Sequence, residues 1–564
     1  MKRIIECVPN ISEGRDRQKI DAITSVIETV EGVRLLDVDP GKATNRTVIT
    51  FAGEPVAVCE AAFRLIAKAA GTLDMSTHQG EHPRMGATDV CPLVPISGIT
   101  MEETAEFARK LGKRVGDELK IPVYLYEYAA SEQYRKNLAD IRTGEYEALE
   151  KKLSDPQWKP DFGPSDFNEH VKQAGATVIG ARDFLVAYNV NLNTTSVRKA
   201  NSVAFDIREK GRVKRKGDPV TGEIVKDGKG EPVWIPGSLR AVKAIGWFIE
   251  EYGIAQISIN LTNLNTTPLH IAFDECCTKA QERGLRVTGS EIVGLVPLNS
   301  MTEAGKYFLK KQNRSAGASE NELIKSAILS LGLNDLFPFK PNEKIIEYRL
   351  SPMNNKSLIT RTVSDFIDEV SSESPAPGGG SAAALLGSLA AALAAMVANL
   401  SSQKRGWENR WEEFSGWAEK AQGIKSELLK LVDEDARAFT KVMDAFGLPK
   451  NTPEEKTTRD AAIETASVHA AEIPFRVMKY SFDSFAIIKA MAEQGNPNSI
   501  SDAGVAAKCA GSAVNSAYLN VLINAKGLKD RNKAGKLVSE GGKITEESDK
   551  MENEIMDFII EKLK

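Results

Sequence analysis

The chain has 564 residues, of which 42% are hydrophobic and 27% are charged, close to the averages of soluble globular proteins. This composition excludes fibrous and wholly disordered classes, and at roughly 100–200 residues per domain the length predicts several compact units. The 73 basic residues against 77 acidic residues give a net charge of -4. No overall positive field therefore favours nucleic acid or an anionic membrane as a partner.

The six cysteines are sparse and show no C-x-x-C spacing. This pattern favours reduced thiols over a disulfide framework or a zinc cluster. The segment Met1–Glu6 has no apolar run of the length that a secretory signal needs. The sequence therefore predicts a soluble, cytoplasmic protein of several domains.

The first third of the chain alternates β-branched runs with amphipathic stretches, and a second region of the same kind begins near Asp183. Helices packed on one face of a sheet predict a ferredoxin-like unit in the first region, and the repeated order of elements indicates that the second α/β region is a duplicate of it. The predicted strands are Ile4–Val8, Arg34–Val38, Thr47–Phe51, Val123–Tyr126, Phe184–Val190 and Ala255–Leu261, and the predicted helices are Pro55–Ala70, Met101–Lys120, Val197–Arg208 and Leu269–Arg283.

Gly211–Gly237 interrupts the second region and is rich in Gly, Lys and Pro. Its turn signals predict an exposed hairpin. The basic run Arg212–Lys216 could form a nucleic-acid patch, but a solvated loop is favoured because the rest of the chain has no excess of positive charge.

From about residue 355 the pattern changes to Ala-rich helical periodicity. Ser374–Gln403 contains no charged residue and is long enough to cross a membrane, yet alanine gains little by entering lipid. A helix buried on all sides and packed closely through small residues is the favoured interpretation. The fold class predicted is an α+β N-terminal half, with two duplicated ferredoxin-like subdomains, plus an all-α C-terminal domain. The predicted domains are 1–180, 181–335, a linker at 336–360, and 361–564.

His78 and His82 match the H-x-x-E-H pattern of zinc peptidases. That zinc site needs a helix, and Gly80 inside the motif with Pro83 directly after it makes a loop more plausible than a helix. Two loop histidines without a role remain the simplest alternative. A constrained loop that carries an imidazole beside both charge signs, however, suits acid–base chemistry near neutral pH.

Three further stretches each have a functional and an ordinary interpretation. Pro160–Phe167 could line a slot for a flat aromatic ligand, although by itself it reads more readily as a linker. Ser374–Ser381 places three glycines at the start of a helix, either as a site for an anionic or carbonyl group or as a flexible helix entry. Asp433 and Arg437 are four residues apart on one helix, which by default is a surface pair.

The chain resembles the formimidoyltransferase-cyclodeaminases, the bifunctional folate enzymes of histidine breakdown. The likeness covers nearly the whole length, and the Gly80–Gly86 and Ser374–Ser381 strings are its most specific motifs. Gly211–Gly237 looks longer than the connection usual in this family. The strings that carry the resemblance are Glu6–Gly14, Thr44–Thr47, Gly80–Gly86, Asp89–Pro92, Pro160–Ser165, Ser374–Ser381 and Leu448–Lys456.

The resemblance implies two ferredoxin-like subdomains that transfer a formimino group from N-formimino-L-glutamate to N5 of tetrahydrofolate. It implies that His82 moves the proton, and that Arg46, Arg84 and Arg182 are candidates for binding the carboxylates of the substrates. The implied folate-binding residues are Gly163, Pro164, Ser165, Asp166, Phe167, Asn168, Glu169, His170, Val171 and Lys172, with Gly378, Gly379 and Gly380 in the helical domain.

For the helical domain, the resemblance implies closure of the N5–N10 bridge to 5,10-methenyltetrahydrofolate with release of ammonia. Asp433 is the implied acid and Asp435 is the fallback. If Asp433 is the acid, burial should raise its pKa.

The family also implies tetrahydrofolate as a co-substrate, which could be polyglutamylated, and an assembly that is a homo-octamer or another homo-oligomer. No metal, nucleic-acid or membrane partner is implied. Two alternatives remain. One is a folate enzyme with a single active half, such as a methenyltetrahydrofolate cyclohydrolase or a glycine formimidoyltransferase. The other is a non-catalytic folate-binding oligomer.

Overall fold

The computed structural model describes residues 3–41, 45–80, 83–219, 221–350 and 357–564. The chain forms two compact units. The first comprises Met1–Ser300 with Leu331–Pro352, and the second comprises Met301–Ser330 with Met353–Lys564. The predicted domain boundaries at residues 180, 335 and 360 stay a prediction. They divide the chain into consecutive domains, whereas each compact unit combines two segments that are distant along the chain.

The first unit begins with a seven-stranded sheet in the order β3-β4-β1-β5-β7-β6, with β2 also lying between β4 and β5. The part β3-β4-β1-β5 has the antiparallel order of a ferredoxin-like fold, and β7 and β6 extend it in parallel. The strands are β1 (Ile4–Cys7), β2 (Asn10–Ile11), β3 (Val33–Gly41), β4 (Arg46–Gly53), β5 (Thr88–Ser97), β6 (Val123–Glu127) and β7 (Thr177–Ala181).

Helices cover this sheet because each has one apolar face. In the largest of them, Pro at the first position starts Pro55–Thr72, and a Thr100–Glu103 capping box starts Met101–Leu119. The helices of this part are α1 (Arg17–Thr24), α2 (Pro55–Thr72), α3 (Met101–Leu119), α4 (Leu138–Ile141), α5 (Leu149–Leu153) and α6 (Glu169–Ala174).

The second sheet has four antiparallel strands in the order β11-β12-β8-β13, which is again the ferredoxin-like order. The predicted hairpin projects from it and contains a two-stranded ribbon. The elements are β8 (Val186–Leu192), α7 (Val197–Ile207), β9 (Arg212–Val213), β10 (Trp234–Ile235), β11 (Val242–Ile249), β12 (Ile254–Leu261), α8 (Leu269–Gln281) and β13 (Val287–Val293). Two sheets with helices confirm the mixed fold predicted for this half.

The second unit is helical throughout residues 363–563, as predicted. Residues 301–330 pack with it: the Asn399 amide donates to the Gly317 carbonyl at 2.8 Å. The remaining helices of the chain are α9 (Leu298–Lys311), α10 (Glu320–Leu331), α11 (Pro341–Lys344), α12 (Ile346–Leu350), α13 (Val363–Ser371), α14 (Gly379–Ser402), α15 (Trp411–Gly447), α16 (Pro453–Gln494), α17 (Ile500–Gly527) and α18 (Arg531–Leu563).

The charge-free helix α14 packs against α15, α16 and α17. By length and composition it could cross a membrane, but 61% of its most apolar window is buried inside the protein. Small residues allow the close approach: a Cβ at Gly387 would lie 2.3 Å from Ser481 Oγ. The predicted packing through small residues is therefore confirmed. The prediction that the helix is buried on all sides is wrong, because Leu389, Met396 and Leu400 lie on an exposed face.

Candidate active sites

The segment between α2 and β5 contains the first candidate catalytic loop. Asp74 caps a 3₁₀ turn at Met75–Thr77, and the chain then runs through His78 without helical structure. Burial lowers the pKa of His78, and its Nε2 lies 3.0 Å from the Asn45 carbonyl. A neutral ring that donates from Nε2 leaves Nδ1 free to accept from Arg84 Nε at 3.2 Å. His82, predicted as the catalytic base, lies outside the described residues.

Arg84 fastens the end of this loop. Its buried guanidinium donates to Glu147 at 2.6 Å and to Glu145 at 3.1 Å. A guanidinium that is paired with two carboxylates of its own chain is already neutralised. The structure thus gives Arg84 an internal role, whereas the sequence offered it as a ligand for substrate carboxylates.

The loop is closed by a contact between two glycine backbones, Gly86 and Gly175. A Cβ at Gly86 would lie 2.4 Å from the Ala176 carbonyl oxygen, and one at Gly175 would lie 2.4 Å from the Cα of Gly86. Gly175 also has a φ of 70°, a conformation that favours glycine. Asp89 adds a further anchor, because its carboxylate accepts the Met85 N–H at 2.9 Å. The chain just after His82 is therefore held by backbone contact.

A cavity of about 650 Å³ lies in the same unit, with residues of both ferredoxin-like subdomains in its wall. Arg46 and Arg182 belong to this wall, as the sequence suggested, and Arg84 does not. Arg182 donates to the Asp183 carbonyl at 2.9 Å. Five basic and two acidic side chains line the cavity, namely Arg46, Lys136, Arg142, Arg182 and Lys243, with Glu127 and Asp183. The excess of cations suits a ligand that bears carboxylates.

Sequence reasoning missed Lys136, Arg142 and Lys243. Arg142 pairs with Asp89, which begins the motif string Asp89–Pro92. An acidic residue in a buried apolar string indicates that a basic partner lies nearby, and this signal could have led to Arg142. Lys243 lies on β11, where exposed and buried residues alternate. The sequence around Lys243 gives no sign that this residue lines the cavity, because most of the other lining residues come from the first ferredoxin-like subdomain.

A buried carboxyl group lies behind Arg182. Glu6 on β1 is 4% exposed, and burial raises its pKa to about 7, with the positive charge of Arg182 opposing the effect. Burial likewise raises the pKa of Glu127 in the cavity wall, again against Arg182. Arg182 thus opposes the rise in the pKa of both carboxyl groups, and Lys243 and Lys136 oppose it further at Glu127.

The predicted folate-binding segment lies elsewhere on the first unit. Gly163 has a φ of 85° and packs against Ile121, while Asn168 caps α6 and His170 Nε2 lies 2.8 Å from the Leu119 carbonyl. Phe167 contacts Tyr146 at 6.3 Å between ring centroids. Most of the segment is exposed, and among the described residues none of its ten lines the 650 Å³ cavity.

In the helical unit, the glycine string and one of the two acidic candidates come together. Gly378 precedes α14, and a Cβ at Gly380 would lie 2.1 Å from Asp435 Oδ1. Ser381 Oγ donates to Asp435 Oδ2 at 3.0 Å. Burial raises the pKa of Asp435, and only the hydrogen bonds from Ser381 oppose it. Asn520, which the sequence did not single out, places its amide beside Gly379.

Asp433 has different partners. Its carboxylate accepts from the Leu358 N–H at 2.7 Å and from Ser357 Oγ at 2.6 Å. Residues two apart on a helix point to different sides, so only one of the pair can face the glycines. Asp433 therefore holds the chain before α13, and Asp435 occupies the position beside the helix start.

Within the described residues, no group of three or more His, Cys, Asp or Glu side chains is placed to hold a metal ion. None of the six cysteines, all of which lie among the described residues, forms a disulfide, and the Sγ atoms of Cys7 and Cys91 lie 3.5 Å apart in the core of the first sheet.

Three family models match consecutive parts of the chain. "Formiminotransferase domain, N-terminal subdomain" matches residues 4–182, "Formiminotransferase domain" matches 187–351, and "Formiminotransferase-cyclodeaminase" matches 362–542.

Curated relatives match both the whole chain and its parts. The chain is 44% identical to formimidoyltransferase-cyclodeaminase of Gallus gallus over 94% of each chain. It is 43% identical to a glutamate formimidoyltransferase of Thermoplasma acidophilum, over 57% of this chain and 98% of that protein. It is 42% identical to a methenyltetrahydrofolate cyclohydrolase of Methylorubrum extorquens, over 30% of this chain and 82% of that protein. The chain therefore belongs to the formimidoyltransferase-cyclodeaminase family, as a bifunctional folate enzyme of histidine and one-carbon metabolism.

Proposed function

We propose that the first unit transfers the formimino group of N-formimino-L-glutamate to N5 of tetrahydrofolate. In this step N5 attacks the amidine carbon, the bond from that carbon to the glutamate nitrogen breaks, and glutamate leaves. A proton is lost from N5 and one is gained by the departing nitrogen. The cationic 650 Å³ cavity is the observation that carries this proposal, because both substrates bear carboxylates.

We assign the proton transfer to His82. An imidazole has an ordinary pKa of about 6.5, so one ring can accept the proton and then return it near neutral pH. The Arg84 and Gly86 contacts support this role, since they hold the residues that directly follow His82. Arg46 and Arg182 then bind carboxylates of the substrates. The exposed segment 163–172 remains our proposed folate-binding surface.

The helical unit carries the second proposed step. N10 attacks the amidine carbon of protonated 5-formiminotetrahydrofolate and loses its proton. The terminal NH2 on that carbon takes up a proton, its bond to the carbon breaks, and ammonia leaves, so that a cationic methenyl bridge remains between N5 and N10. Asp435 is the better candidate for the acid, because burial raises its pKa and the carboxyl touches the glycine string. The Ser381 N–H at the start of α14 donates to Asp435, so the ligand would bind to the N–H groups of Gly379 and Gly380.

A two-step assay tests both assignments in the full chain. Glutamate release reports the first step, and absorbance of the methenyl product reports the second. His82→Ala should abolish glutamate release and leave conversion of supplied 5-formiminotetrahydrofolate intact. Asp435→Asn should do the reverse. Loss of both steps in either single variant would contradict the division of labour.

Asp433→Asn is the matched control for Asp435→Asn, since it makes the same change two residues away on α15. An amide at position 433 can still accept from Leu358. We expect its second-step rate to stay within a few-fold of the wild-type rate. If Asp433→Asn is the inactive variant instead, the original assignment from the motif is correct and ours is wrong.

The similarity of the last third to a methenyltetrahydrofolate cyclohydrolase supports a second candidate activity for the helical unit, hydrolysis of the methenyl bridge. Supplying 5,10-methenyltetrahydrofolate without an amidine donor distinguishes the two. With a deaminase, the supplied 5,10-methenyltetrahydrofolate should hydrolyse only at its spontaneous rate. With a cyclohydrolase, its hydrolysis should be faster.

We also propose a homo-oligomer, an octamer by analogy with the family, that works in the cytoplasm without a metal. Exposed apolar residues on two neighbouring helices of the second unit support self-association. Light scattering tests the assembly, metal analysis of the active protein tests the metal, and cell fractionation tests the location. The residues concerned are Leu389, Met396 and Leu400 on α14, with Val505, Leu519, Leu522 and Ile523 on α17.

A further inference from the structure

A second cavity, of about 300 Å³, lies between α7 and the projecting hairpin of the second ferredoxin-like subdomain. It has no residue in common with the 650 Å³ cavity. Four arginines and two aromatic residues dominate its wall. They are Arg198, Arg208, Arg212, Arg215, Phe205 and Trp234.

One face of α7 supplies the floor. Arg198, Asn201 and Phe205 are spaced by three and four residues, so they share a helical face, and all three line the cavity. Arg208 follows the helix and lies over the ring of Phe205, with 3.9 Å between its guanidinium carbon and the ring centroid. This stacking fixes the plane of the guanidinium at the cavity wall.

The arginines of the cavity are poorly neutralised. Arg212 pairs with Asp206, which lies outside the lining. Among the described residues, Arg198, Arg208 and Arg215 have no carboxylate within ion-pair distance.

Arg208 and Arg215 donate only to backbone carbonyls, those of Gly211 at 2.9 Å and Gly222 at 2.8 Å. Burial lowers the pKa of Arg208, which is the response of a cation that has lost water without gaining a counter-ion. An anion in this cavity would supply the missing charge.

The hairpin adds an aromatic surface. Trp234 is 47% exposed, and Lys210 Nζ lies 5.0 Å from its ring centroid. An exposed indole beside several guanidinium groups offers a stacking surface for a planar ring that carries an anionic group. The lysines of the basic run behave differently, since Lys216 points to Glu223 in the manner of a solvated loop.

We propose that this cavity binds a nucleoside phosphate, with the base stacked on Trp234 and the phosphate oxygens held by Arg198, Arg208 and Arg215. Planar guanidinium groups match phosphate in a bidentate manner, and the volume suits a small nucleotide better than an extended chain. The site goes beyond both folate reactions and shares no residue with either.

Calorimetric titration of the full chain with ADP tests the site, with adenosine and pyrophosphate as separate probes. We expect ADP to bind with a stoichiometry of one per chain, and each fragment to bind at least tenfold more weakly. Arg198→Ala and Trp234→Leu should each weaken ADP binding at least tenfold. Arg198 is exposed and is the safer variant for folding.

Lys229→Ala is the matched control, because it removes one positive charge from the same hairpin outside the cavity. Its ADP affinity should stay within twofold of wild type. Absence of ADP binding, or equal weakening by Lys229→Ala and Arg198→Ala, would overturn the proposal. Pyrophosphate binding as tight as ADP would overturn the role of Trp234, and displacement of ADP by tetrahydrofolate would reassign the cavity to the folate reactions.

Discussion

The α/β unit and the helical unit set carboxyl groups in opposite surroundings. In the α/β unit, Glu6 and Glu127 lie near Arg182, whose charge opposes the effect of burial on their pKa values. In the helical unit, Asp435 lies against Gly380 and Ser381, and hydrogen bonds alone oppose burial. In both units burial raises the pKa of the carboxyl group, but cations that can orient anionic substrates lie near Glu6 and Glu127, whereas Asp435 adjoins the helix start at which a ligand could receive its proton. The contrast matches the two proposed steps.

The largest effect should come from crowding the acid of the helical unit. Gly380→Ala would place a Cβ 2.1 Å from Asp435 Oδ1, so the short carboxyl side chain must move. We expect the second step to slow by roughly 10²–10⁴-fold, the contribution typical of a positioned acid. The first step should stay within twofold, which the two-step assay measures. A variant that retains full second-step activity would remove Asp435 from the site.

Next in size is the pH response of the α/β unit. In the folded protein the Glu6 carboxyl has a pKa of about 7, whereas its ordinary pKa is 4.5, so it keeps its proton up to near-neutral pH. The folded state thus binds a proton at Glu6 more tightly than the unfolded state does. The stabilisation from this difference is complete below pH 4.5 and is lost as the pH rises through about 7. The loss should approach about 3 kcal/mol at pH 8.

Glu6→Gln should therefore be more stable than wild type at pH 8 and nearly equal to it at pH 4.5, as measured by urea unfolding of the full chain. Exposed Glu28→Gln is the control and should show no such pH-dependent difference. Equal stability of wild type and Glu6→Gln at both pH values would mean that Glu6 is already compensated by Arg182.

A smaller effect is expected from one cation of the large cavity. Arg182→Gln removes a charge that lines the cavity, and a charge-assisted contact with a substrate carboxylate is worth about 1.5–3 kcal/mol. We expect the KM of the first step to rise roughly tenfold or more, with little change in the second step. Exposed Arg17→Gln serves as the control. An unchanged KM would mean that the substrate carboxylates bind elsewhere.

The smallest predicted effect has the opposite sign and supports the first prediction. Gly423 lies inside α15 with open space where a Cβ would be. Gly423→Ala should stabilise the protein by about 0.5–1 kcal/mol, because alanine favours the helix. Both reaction rates should be unchanged. Damage from this variant would show that any alanine in these helices is harmful, and the result at Gly380 would lose its meaning.

The fold was largely predictable because its signals are local. The sequence pattern predicted a helix over Met101–Lys120, and α3 spans Met101–Leu119, while alternation of β-branched residues placed β4 within one or two residues. In the helical domain the sequence pattern predicts a helix over Asp460–Tyr480, which is too short, since α16 begins at Pro453 and ends at Gln494. Its first turns are exposed and polar, so they lack the apolar periodicity that a sequence pattern detects.

The sites were less predictable because they depend on distant neighbours. Two of the motifs are brought together in the structure, since the Gly378–Gly380 string lies beside an acidic residue of α15. Which of Asp433 and Asp435 faces that string depends on how α14 packs against α15. The contribution of Lys243 to the large cavity likewise depends on two subdomains coming together. Neither arrangement is written in a short stretch of sequence.

The contact between the glycine backbones at Gly86 and Gly175 also limits substitution. Gly175 ends α6, which contains the last residues of the segment proposed to bind folate, and Gly86 ends the loop that follows His82. A Cβ at either glycine would lie within 2.4 Å of backbone atoms of the other segment, so a side chain there would force the two segments apart. The spacing between α6 and the end of that loop is therefore set by two residues that must both be glycine.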